Sequence, residues 1–342
     1  MKTFYYTLIA MLLSYSAIWA QTSYGGLEAA GTTAGINGDD TNSYFGHQAG
    51  SINTGVSNTF TGYQSGQVNI GNGNTFMGNR SGWKNTTGET NTFIGSISGA
   101  FNDVGERNTF LGYGSGYKNT SGSRNTFVGF YSGLNTTEAI YNTFIGYYSG
   151  GSNTTGSSNT FLGYNSGFTN TVGGGNVFLG YKAGYSETGS SKLYIDNSDT
   201  GAPLIWGDFA TDVVNFNANV GIGTTTPDAK LAVKGDIHAQ EVRVDLNGAV
   251  APDYVFEPDY TLRTLTETEA YIKANKHLPE IPSAAEMEEN GVELKVMNLK
   301  LLQKVEELTL YTIGQQKLIE AQQKQLQSLQ ERVNELKRIK NK

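Results

Sequence analysis

Few side chains in this sequence have the types and spacings that acid–base, nucleophilic or metal chemistry requires. The three histidines, His47, His238 and His277, are far apart along the chain. The acidic and aromatic residues between Asp253 and Tyr260 could supply the paired carboxylates of a glycosidase. No domain large enough to form a cleft surrounds them, however, and no nucleophile stands beside a base. We therefore predict no catalytic, cofactor-binding or metal-binding residues and no enzyme activity.

Two other groupings resemble ligand sites but have a simpler explanation. Asp39 and Asp40 form an adjacent pair that could bind a cation, although such a pair at the start of a loop is usually solvated. Gly221-Ile222-Gly223 resembles part of a phosphate-binding loop, but neither a third glycine nor a Gly-Lys-Ser/Thr sequence follows it. We interpret this second grouping as a tight turn.

The composition argues against several further classes of function. The sequence of 342 residues has a net charge of -7, which argues against a nucleic-acid-binding surface. It contains no cysteine, so disulfides and thiolate nucleophiles are excluded within it. Glycine is abundant, with 44 residues, whereas proline is rare, with 6, so we expect the glycines in tight turns rather than in a disordered linker.

Residues 1–20 have the features of a secretory signal peptide. Lys2 provides the positive start, residues 7–13 form the apolar segment, and Ala20 precedes a cleavage point before Gln21. No later segment is long and apolar enough to cross a membrane as a helix. We expect export to the extracellular space or the outer cell surface, with the periplasm as the remaining alternative.

An internal repeat fills residues 42–184, after a lead-in segment at 21–41. The repeat determines the secondary structure on which any functional side chain in this region would stand. Nine copies of the phrase Asn-Thr-Phe-x-Gly-Tyr-x-Ser-Gly follow one another at intervals of 16 or 17 residues. Their first residues are Asn42, Asn58, Asn74, Asn91, Asn108, Asn125, Asn142, Asn159 and Asn176. A repeat this short cannot bury its own apolar face, so the period predicts a β-solenoid of stacked copies.

Two apolar columns run through the repeats, one at the third position and one at the fourth. In the repeat that begins at Asn108 these positions are Phe110 and Leu111. Because side chains alternate along a strand, the two columns must point in opposite directions. We expect the Phe column to fill the interior and the aliphatic column to form an outer stripe. A stripe of that size is rarely left exposed, which favours a symmetric oligomer.

Polar and aromatic columns accompany the apolar ones. The leading Asn of each repeat is expected to form an internal ladder, and the intervening Asn, Thr and Gly residues are expected to form turns. Tyr113, Tyr147, Tyr164 and Tyr181 form an aromatic column that either stacks along the solenoid or faces a ligand. An Asn/Thr surface that binds sugar or ice is an alternative, although Thr occupies only one strand position per turn.

The phrase Asn-Thr-Phe-x-Gly-x-x-Ser-Gly across residues 42–184 resembles the head repeats of trimeric autotransporter adhesins of the YadA type, whose unit is Asn-Ser-Val-Ala-Ile-Gly. The resemblance implies a left-handed β-roll that assembles as a homotrimer. The period here is longer than that family's, and Phe stands where the family prefers a smaller aliphatic residue. The C-terminal membrane-barrel strands of the family are missing from the sequence, so we do not expect anchoring by that route.

The segment that follows the repeats is predicted as a β connector over residues 185–250. Its sequence from Val220 to Ile237 resembles the shaft-to-tail junction of tail-fibre-like proteins. Residues 251–293 resemble the C-terminal module of Bacteroidetes tail-fibre-domain proteins, which is compared with the intramolecular chaperone of phage tail fibres. The Ser-Asp phrase of the self-cleaving chaperones is not found there.

Short and long helices are predicted for the C-terminal part. Two capping boxes, Thr266 with Glu269 and Ser283 with Glu286, each predict the start of a short helix. Residues 294–342 then follow a heptad pattern for six heptads, which predicts a coiled coil. Its core positions are Leu294, Asn298, Leu301, Val305, Leu308, Thr312, Gln315, Ile319, Gln322, Leu326, Leu329, Val333, Leu336 and Lys340. The basic residues at 337–342 suit a helix C-terminus, and contact with a membrane or polyanion is the alternative.

Together these patterns predict a secreted or cell-surface homotrimeric fibre of the adhesin type. It would combine a β-solenoid head, a β connector, short helices and a C-terminal coiled-coil stalk. Its partners would be other copies of the chain and glycans or proteins of a host or other surface, with no nucleic acid. The alternative is a tail-fibre-like protein whose C-terminal module acts as an intramolecular chaperone, cleaves itself, or belongs to a glycan-processing fibre.

Overall fold

The computed structural model describes residues 41–246, 248 and 250–340. The described residues form two compact units, which divide between Asp236 and Ile237. The predicted signal peptide, the lead-in residues up to the Asp39–Asp40 pair, and Lys342 lie outside the described residues. No helix in the described part of the chain is long and apolar enough to span a membrane.

The first unit contains the predicted β-solenoid. Each repeat contributes one strand of three residues, and successive strands pair in parallel with the same repeat positions opposite each other. The strands are β1 (Ser43–Phe45), β2 (Thr59–Thr61), β3 (Thr75–Met77), β4 (Thr92–Ile94), β5 (Thr109–Leu111), β6 (Thr126–Val128), β7 (Thr143–Ile145), β8 (Thr160–Leu162) and β9 (Val177–Leu179). Equivalent positions therefore stack into columns along the solenoid.

A column of phenylalanines forms the core of the solenoid, as the alternation predicted. Eight consecutive Phe side chains, from Phe60 to Phe178, are 0% exposed. Neighbouring rings stack nearly parallel, with centroids 4.7–4.9 Å apart. Burial of each ring contributes about 1.5–3 kcal/mol. Stacking thus supplies the apolar core that a single repeat of 16 or 17 residues lacks.

The leading asparagines form the predicted internal ladder and also close each turn. The Asn91 side-chain Oδ1 accepts a hydrogen bond from the backbone N–H of Asn108 in the next turn, at 2.9 Å. Its Nδ2 donates to the carbonyl oxygen of Gly105, at the end of its own turn, at 2.8 Å. The same pair of bonds recurs from Asn42 to Asn176. One side chain thus fixes both the closure of its turn and the register with the next.

A second asparagine ladder runs parallel to the first from Asn53 to Asn119 and does not resume after the sixth repeat. Along it, Nδ2 of each asparagine donates to Oδ1 of the previous one, as between Asn102 and Asn85 and between Asn119 and Asn102, both at 2.5 Å. In the sixth repeat Thr136 replaces the asparagine. Asn119 Oδ1, Thr136 Oγ1 and both polar side-chain atoms of Asn153 are buried there without a hydrogen-bond partner among the described residues.

The interruption coincides with the replacement of a glycine in the same repeat. A Cβ added to Gly122 would lie only 2.2 Å from Asn119 Oδ1, and one added to Gly105 would lie 2.5 Å from Asn102 Oδ1. The sixth repeat carries Ala139 at this glycine position. The Ala139 methyl group occupies the space that an asparagine at position 136 would need, so the two replacements are physically linked.

We expect the substitutions Thr136→Asn and Ala139→Gly to be strongly non-additive. Thr136→Asn alone places its carboxamide against the Ala139 methyl group and should give no gain in the free energy of unfolding. Ala139→Gly alone should cost about 0.5–1 kcal/mol. The double variant completes the ladder and should be at least about 1 kcal/mol more stable than the sum of the single changes predicts. Urea unfolding of all four proteins measures this coupling, and additive effects would contradict it.

The solenoid continues for one strand beyond the last copy of the phrase, where the sequence predicted that periodicity ends after Gly184. β10 (Lys192–Ile195) pairs in parallel with β9 and places Tyr194 against the ring of Phe178. β11 (Ile205–Asp208) and β12 (Val213–Phe216) then pair antiparallel and end the sheet. Burial, together with a hydrogen bond to Glu187, raises the pKa of Tyr194 to about 12.

The interpretation of Gly221-Ile222-Gly223 as a tight turn was wrong for its first two residues, which lie in a strand. β13 (Val220–Ile222) pairs in parallel with β14 (Leu231–Val233). Gly223, just after β13, has a φ of 72°, in the left-handed region that glycine adopts without strain. A strand rather than a helix follows this turn, so the arrangement differs from that of a phosphate-binding loop.

The second unit is helical. A 3-10 helix (Pro252–Phe256) precedes three α-helices: α1 (Leu265–Asn275), α2 (Ala284–Asn290) and α3 (Leu294–Lys340). The capping box of α2, Ser283 with Glu286, is confirmed. The predicted box of α1 was wrong by two residues, because Thr264 and Glu267 cap each other instead. The heptad segment is one continuous helix of 47 residues.

Candidate functional site

The residues that were considered for acid–base chemistry lie apart in the structure. His47 stacks on Tyr63, with ring centroids 5.6 Å apart. His277 packs its ring edge-on against Tyr271 at 5.6 Å, and its Nδ1 lies 3.0 Å from the carbonyl oxygen of Leu278. His238 is exposed. Among the described residues, no group of three or more His, Asp or Glu side chains is placed to hold a metal ion.

The acidic and aromatic segment near Tyr254 and Tyr260 has a structural role in the second unit. The Tyr260 hydroxyl donates to Glu307 on α3 at 2.6 Å, and the Tyr254 hydroxyl donates to Gln303 at 3.1 Å. Burial, with the Glu307 hydrogen bond, raises the pKa of the Tyr260 hydroxyl. The two tyrosines therefore hold the segment around the 3-10 helix against α3. Their hydrogen bonds stabilise this packing and do not form a paired-carboxylate site.

The outer face of the parallel sheet carries the aliphatic stripe that the sequence predicted. Leu111 is 43% exposed and Leu162 is 47% exposed, although both belong to strands whose central Phe is fully buried. A column of threonines, such as Thr109 and Thr160, runs beside the stripe on the same face. The single chain therefore presents a regular face of apolar and hydroxyl side chains to solvent.

The predicted aromatic column is both stacked and exposed. Tyr113, Tyr147, Tyr164 and Tyr181 lie in one line, and Phe130 fills the gap that the sequence reading left between the first two. The ring centroids are 5.1–5.3 Å apart and the rings are within 13° of parallel. Because each ring covers the face of the next, the column offers ring edges and phenol hydroxyls to solvent.

The long helix α3 also leaves its apolar seam uncovered. Leu326 and Leu336 are each 65% exposed, and Val305, Leu308 and Leu329 are exposed as well. The one buried residue that α3 has among the described residues is Glu306. Desolvation, with the nearby Asp253 carboxylate, raises the pKa of the Glu306 carboxyl.

The beginning of this seam borders an apolar groove within the second unit. Leu301, Val305 and Leu308 of α3 face Leu265 and Leu278 across it, and the groove has a volume of about 650 Å³. Lys304 and Glu307 pair at 3.0 Å along its edge. Three core positions of the predicted coiled coil thus lie in a groove that the second unit leaves open.

The regular exposed faces of this chain are therefore the outer sheet face, the Tyr113 column of the solenoid and the seam of α3. Sequence reasoning identified the first and the last from their periodicity. It missed the groove in the second unit, because the groove depends on how the segments around Tyr260 and Leu278 lie beside α3. Comparisons with protein-family models, with known proteins and with solved structures found no match for this chain.

Proposed function

We propose that this protein is an exported, homotrimeric fibre of the adhesin type, in which the solenoid makes contacts at a surface and α3 joins three chains. The observation that carries this proposal is the exposed heptad seam of α3, which spans 47 residues, or about 70 Å. A helix of that length with its leucines in water is not stable alone, since most helical stability comes from packing of an apolar face.

Other copies of the same chain are the occupant that fits this seam best. A heptad seam is self-complementary, because the core residues of one helix insert between those of an identical helix. Gln315 and Gln322 stand at core positions, where polar residues fix register and the number of chains at some cost in stability. These features support an in-register homo-oligomer of defined size over a non-specific association.

The exposed stripe of the solenoid supports the same proposal from an independent unit. Its aliphatic column is unbroken from Met77 to Leu179, so a second copy could cover it along those seven turns of the sheet. The remaining sides of the solenoid would stay free for contact with glycans or proteins of a host or other surface. Export rests on the signal-peptide pattern of residues 1–20.

The native mass of residues 21–342 tests the proposal directly. Light scattering on a sizing column is expected to give three times the mass of the chain at all accessible concentrations. A species with the mass of one chain would mean that neither seam is covered by other copies, and the proposal would fall. A stable dimer would refute the trimer while leaving self-association through the seams intact.

Charging the stripe should disturb the assembly without disturbing the solenoid core. Leu111→Asp combined with Leu162→Asp places two carboxylates on the outer face, where a second chain would have to desolvate them. We expect monomers or aggregates. The control is Ser121→Asp combined with Thr155→Asp, which adds the same charge at exposed turn positions. An unchanged native mass for the Leu variant would show that the stripe is not part of the interface.

A further inference from the structure

The acidic residues of the solenoid are absent from one of its sides, although nothing in the repeated phrase excludes them there. Positions six to eleven of the nine repeats form one side of the solenoid, which we call the aromatic–basic side. It comprises residues 47–52, 63–68, 79–84, 96–101, 113–118, 130–135, 147–152, 164–169 and 181–186. This side carries Arg80, Lys84, Lys118 and Lys182 but no Asp or Glu. The other sides carry all the carboxylates of the repeat region, Glu89, Asp103, Glu106 and Glu138, together with Arg107 and Arg124.

Three of these four cations have no ion-pair partner among the described residues. Lys182 pairs with Asp199 at 3.2 Å. Arg80 instead donates from Nε to the side chain of Gln64, at 2.9 Å, while Lys84 and Lys118 are exposed. Arg80 and Lys84 belong to the third repeat and Lys118 belongs to the fifth, so one turn of the solenoid separates them. The net charge of -7 makes such a local excess of positive charge a specific feature of this side.

A groove with a volume of about 540 Å³ lies beside these cations, within the range of ligand sites. Trp83 and Phe101 line it, and the Lys84 Nζ lies 5.1 Å and 4.8 Å from the centroids of their rings. Arg80 lies over the Trp83 ring at 5.4 Å. Contact with aromatic rings holds these two cations in place without an ion pair. One carboxylate, that of Asp103, also lines the groove, and it accepts a hydrogen bond from the Thr86 hydroxyl.

The groove lies where large and small residues alternate at the variable tenth position of the repeat. At this position the third and fifth repeats have Trp83 and Tyr117, whereas the fourth repeat has the small, buried Ala100. The fourth repeat has its aromatic residue one position later, at Phe101, which meets Trp83 and Tyr117 edge to face. Unlike the rings of the Tyr113 column, these rings do not cover one another's faces, so ring faces remain open beside the groove.

We propose that this groove and its cations bind an acidic polysaccharide. Carboxylate or sulfate groups of the glycan would pair with Arg80 and Lys84. Such charge-assisted hydrogen bonds are stronger than those between neutral groups. The apolar C–H faces of sugar rings would pack against Trp83 and Phe101. Gln67, Thr86 and Asp103 line the same groove and supply hydrogen-bonding groups for sugar hydroxyls. The groove crosses four turns of the solenoid, so it suits a linear chain rather than a single sugar.

The spacing of the cations argues against a nucleic acid in the same place. Each strand of DNA carries one phosphate about every 3.4 Å. Turns of the solenoid are about 4.8 Å apart, and only four cations are distributed over nine turns of this side. The charge density is therefore too low for a phosphate backbone. It matches a polymer whose charges are more widely spaced, as in polyuronates and sparsely sulfated glycans.

The site deepens the proposed function, since an adhesin-type fibre would present three such grooves. Tryptophan fluorescence tests it with residues 21–342 carrying Trp206→Phe, so that Trp83 is the only tryptophan left. A size-defined oligogalacturonate should change the Trp83 emission in a saturable way that weakens as the salt concentration rises. A dextran sulfate oligosaccharide, which carries sulfates and no carboxylates, tells sulfate recognition from carboxylate recognition in a parallel titration. A cello-oligosaccharide of equal length, which is uncharged, should bind at least about tenfold more weakly.

Matched variants locate the binding. Arg80→Gln with Lys84→Gln should weaken the oligogalacturonate by about tenfold or more. Arg107→Gln with Arg124→Gln removes the same number of positive charges at exposed positions outside the aromatic–basic side, and should leave binding unchanged. Equal losses in both variants would overturn the proposal, as would tighter binding of poly(dT) or of the neutral glycan, or no binding. Native mass from the same samples separates the two hypotheses, because a trimer without binding refutes only this site.

Discussion

Aspartate at Leu326 and Val333 is expected to reduce the native mass of the protein from three chains to one. Both residues are core positions of the heptad, beyond the part of α3 that borders the groove in the second unit. Each substitution removes about 1.5–3 kcal/mol of apolar burial per chain and adds a carboxylate to the helix interface. A trimer would thus bring six negative charges together along one axis. The apolar burial that remains near these positions is too small to offset the repulsion between them.

A matched control separates loss of the seam from loss of helix propensity. Gln327→Asp with Asn334→Asp adds the same two residues one position further along, outside the seam. This control should keep the native mass of the parent protein. Circular dichroism should show helix loss in the seam variant alone, since an isolated long helix with an uncovered apolar face frays. Trimers that survive both pairs of substitutions would mean that the chains associate elsewhere.

The periodic parts of the fold were predictable because one physical constraint acts in every repeat. Alternation along the strand placed Phe110 inside and Leu111 outside, and the structure confirms both. The stacking of the turns followed from a period too short to form a core of its own. The leading asparagines, such as Asn91, could be predicted as a ladder because each position has the same neighbours above and below.

The departures from the repeat were harder to predict, because each depends on a contact between different segments. Lys192–Ile195 was predicted as a separate strand, and its place as a further turn of the solenoid was missed because it lacks the phrase, yet Tyr194 substitutes for Phe in the column. The cap of α1 was misplaced because two overlapping Thr-x-x-Glu sequences compete for the helix start, and only the side-chain geometry at Thr264 decides between them. The interrupted ladder at Thr136 needed the position of the Ala139 methyl group.

In the candidate site, too, the repeated feature was predictable from the sequence, whereas the feature that depends on contacts between different segments was not. The Tyr113 column was visible as a repeat, and its mutual stacking follows from the spacing of the turns. The Trp83 groove was not visible, since it depends on how the Phe101 ring lies between those of Trp83 and Tyr117. The tenth position differs in nearly every repeat, so the sequence pattern does not single out this place.

The largest effect on stability is expected from Asn91→Asp in the closing ladder. Asn91 is 0% exposed, and its Nδ2 donates to the Gly105 carbonyl oxygen while its Oδ1 accepts from Asn108. An aspartate keeps the acceptor but places a second oxygen against the Gly105 carbonyl, where only a protonated carboxyl can donate. Burial and this facing oxygen raise the pKa of the new carboxyl above its ordinary value of about 3.9.

The sign of the pH dependence follows from that raised pKa. Below the unfolded-state pKa the carboxyl is protonated in both states, and the variant should approach the parent in stability. As pH rises towards the folded-state pKa, the unfolded chain releases its proton first, so the variant loses about 1.4 kcal/mol per pH unit. Urea unfolding between pH 4 and pH 8 should therefore show a widening gap to the parent. Asn79→Asp, at an exposed position in the repeat before, should show no such gap. If Asn91→Asp has a constant cost at all pH values, its side chain does not close the turn as the structure shows.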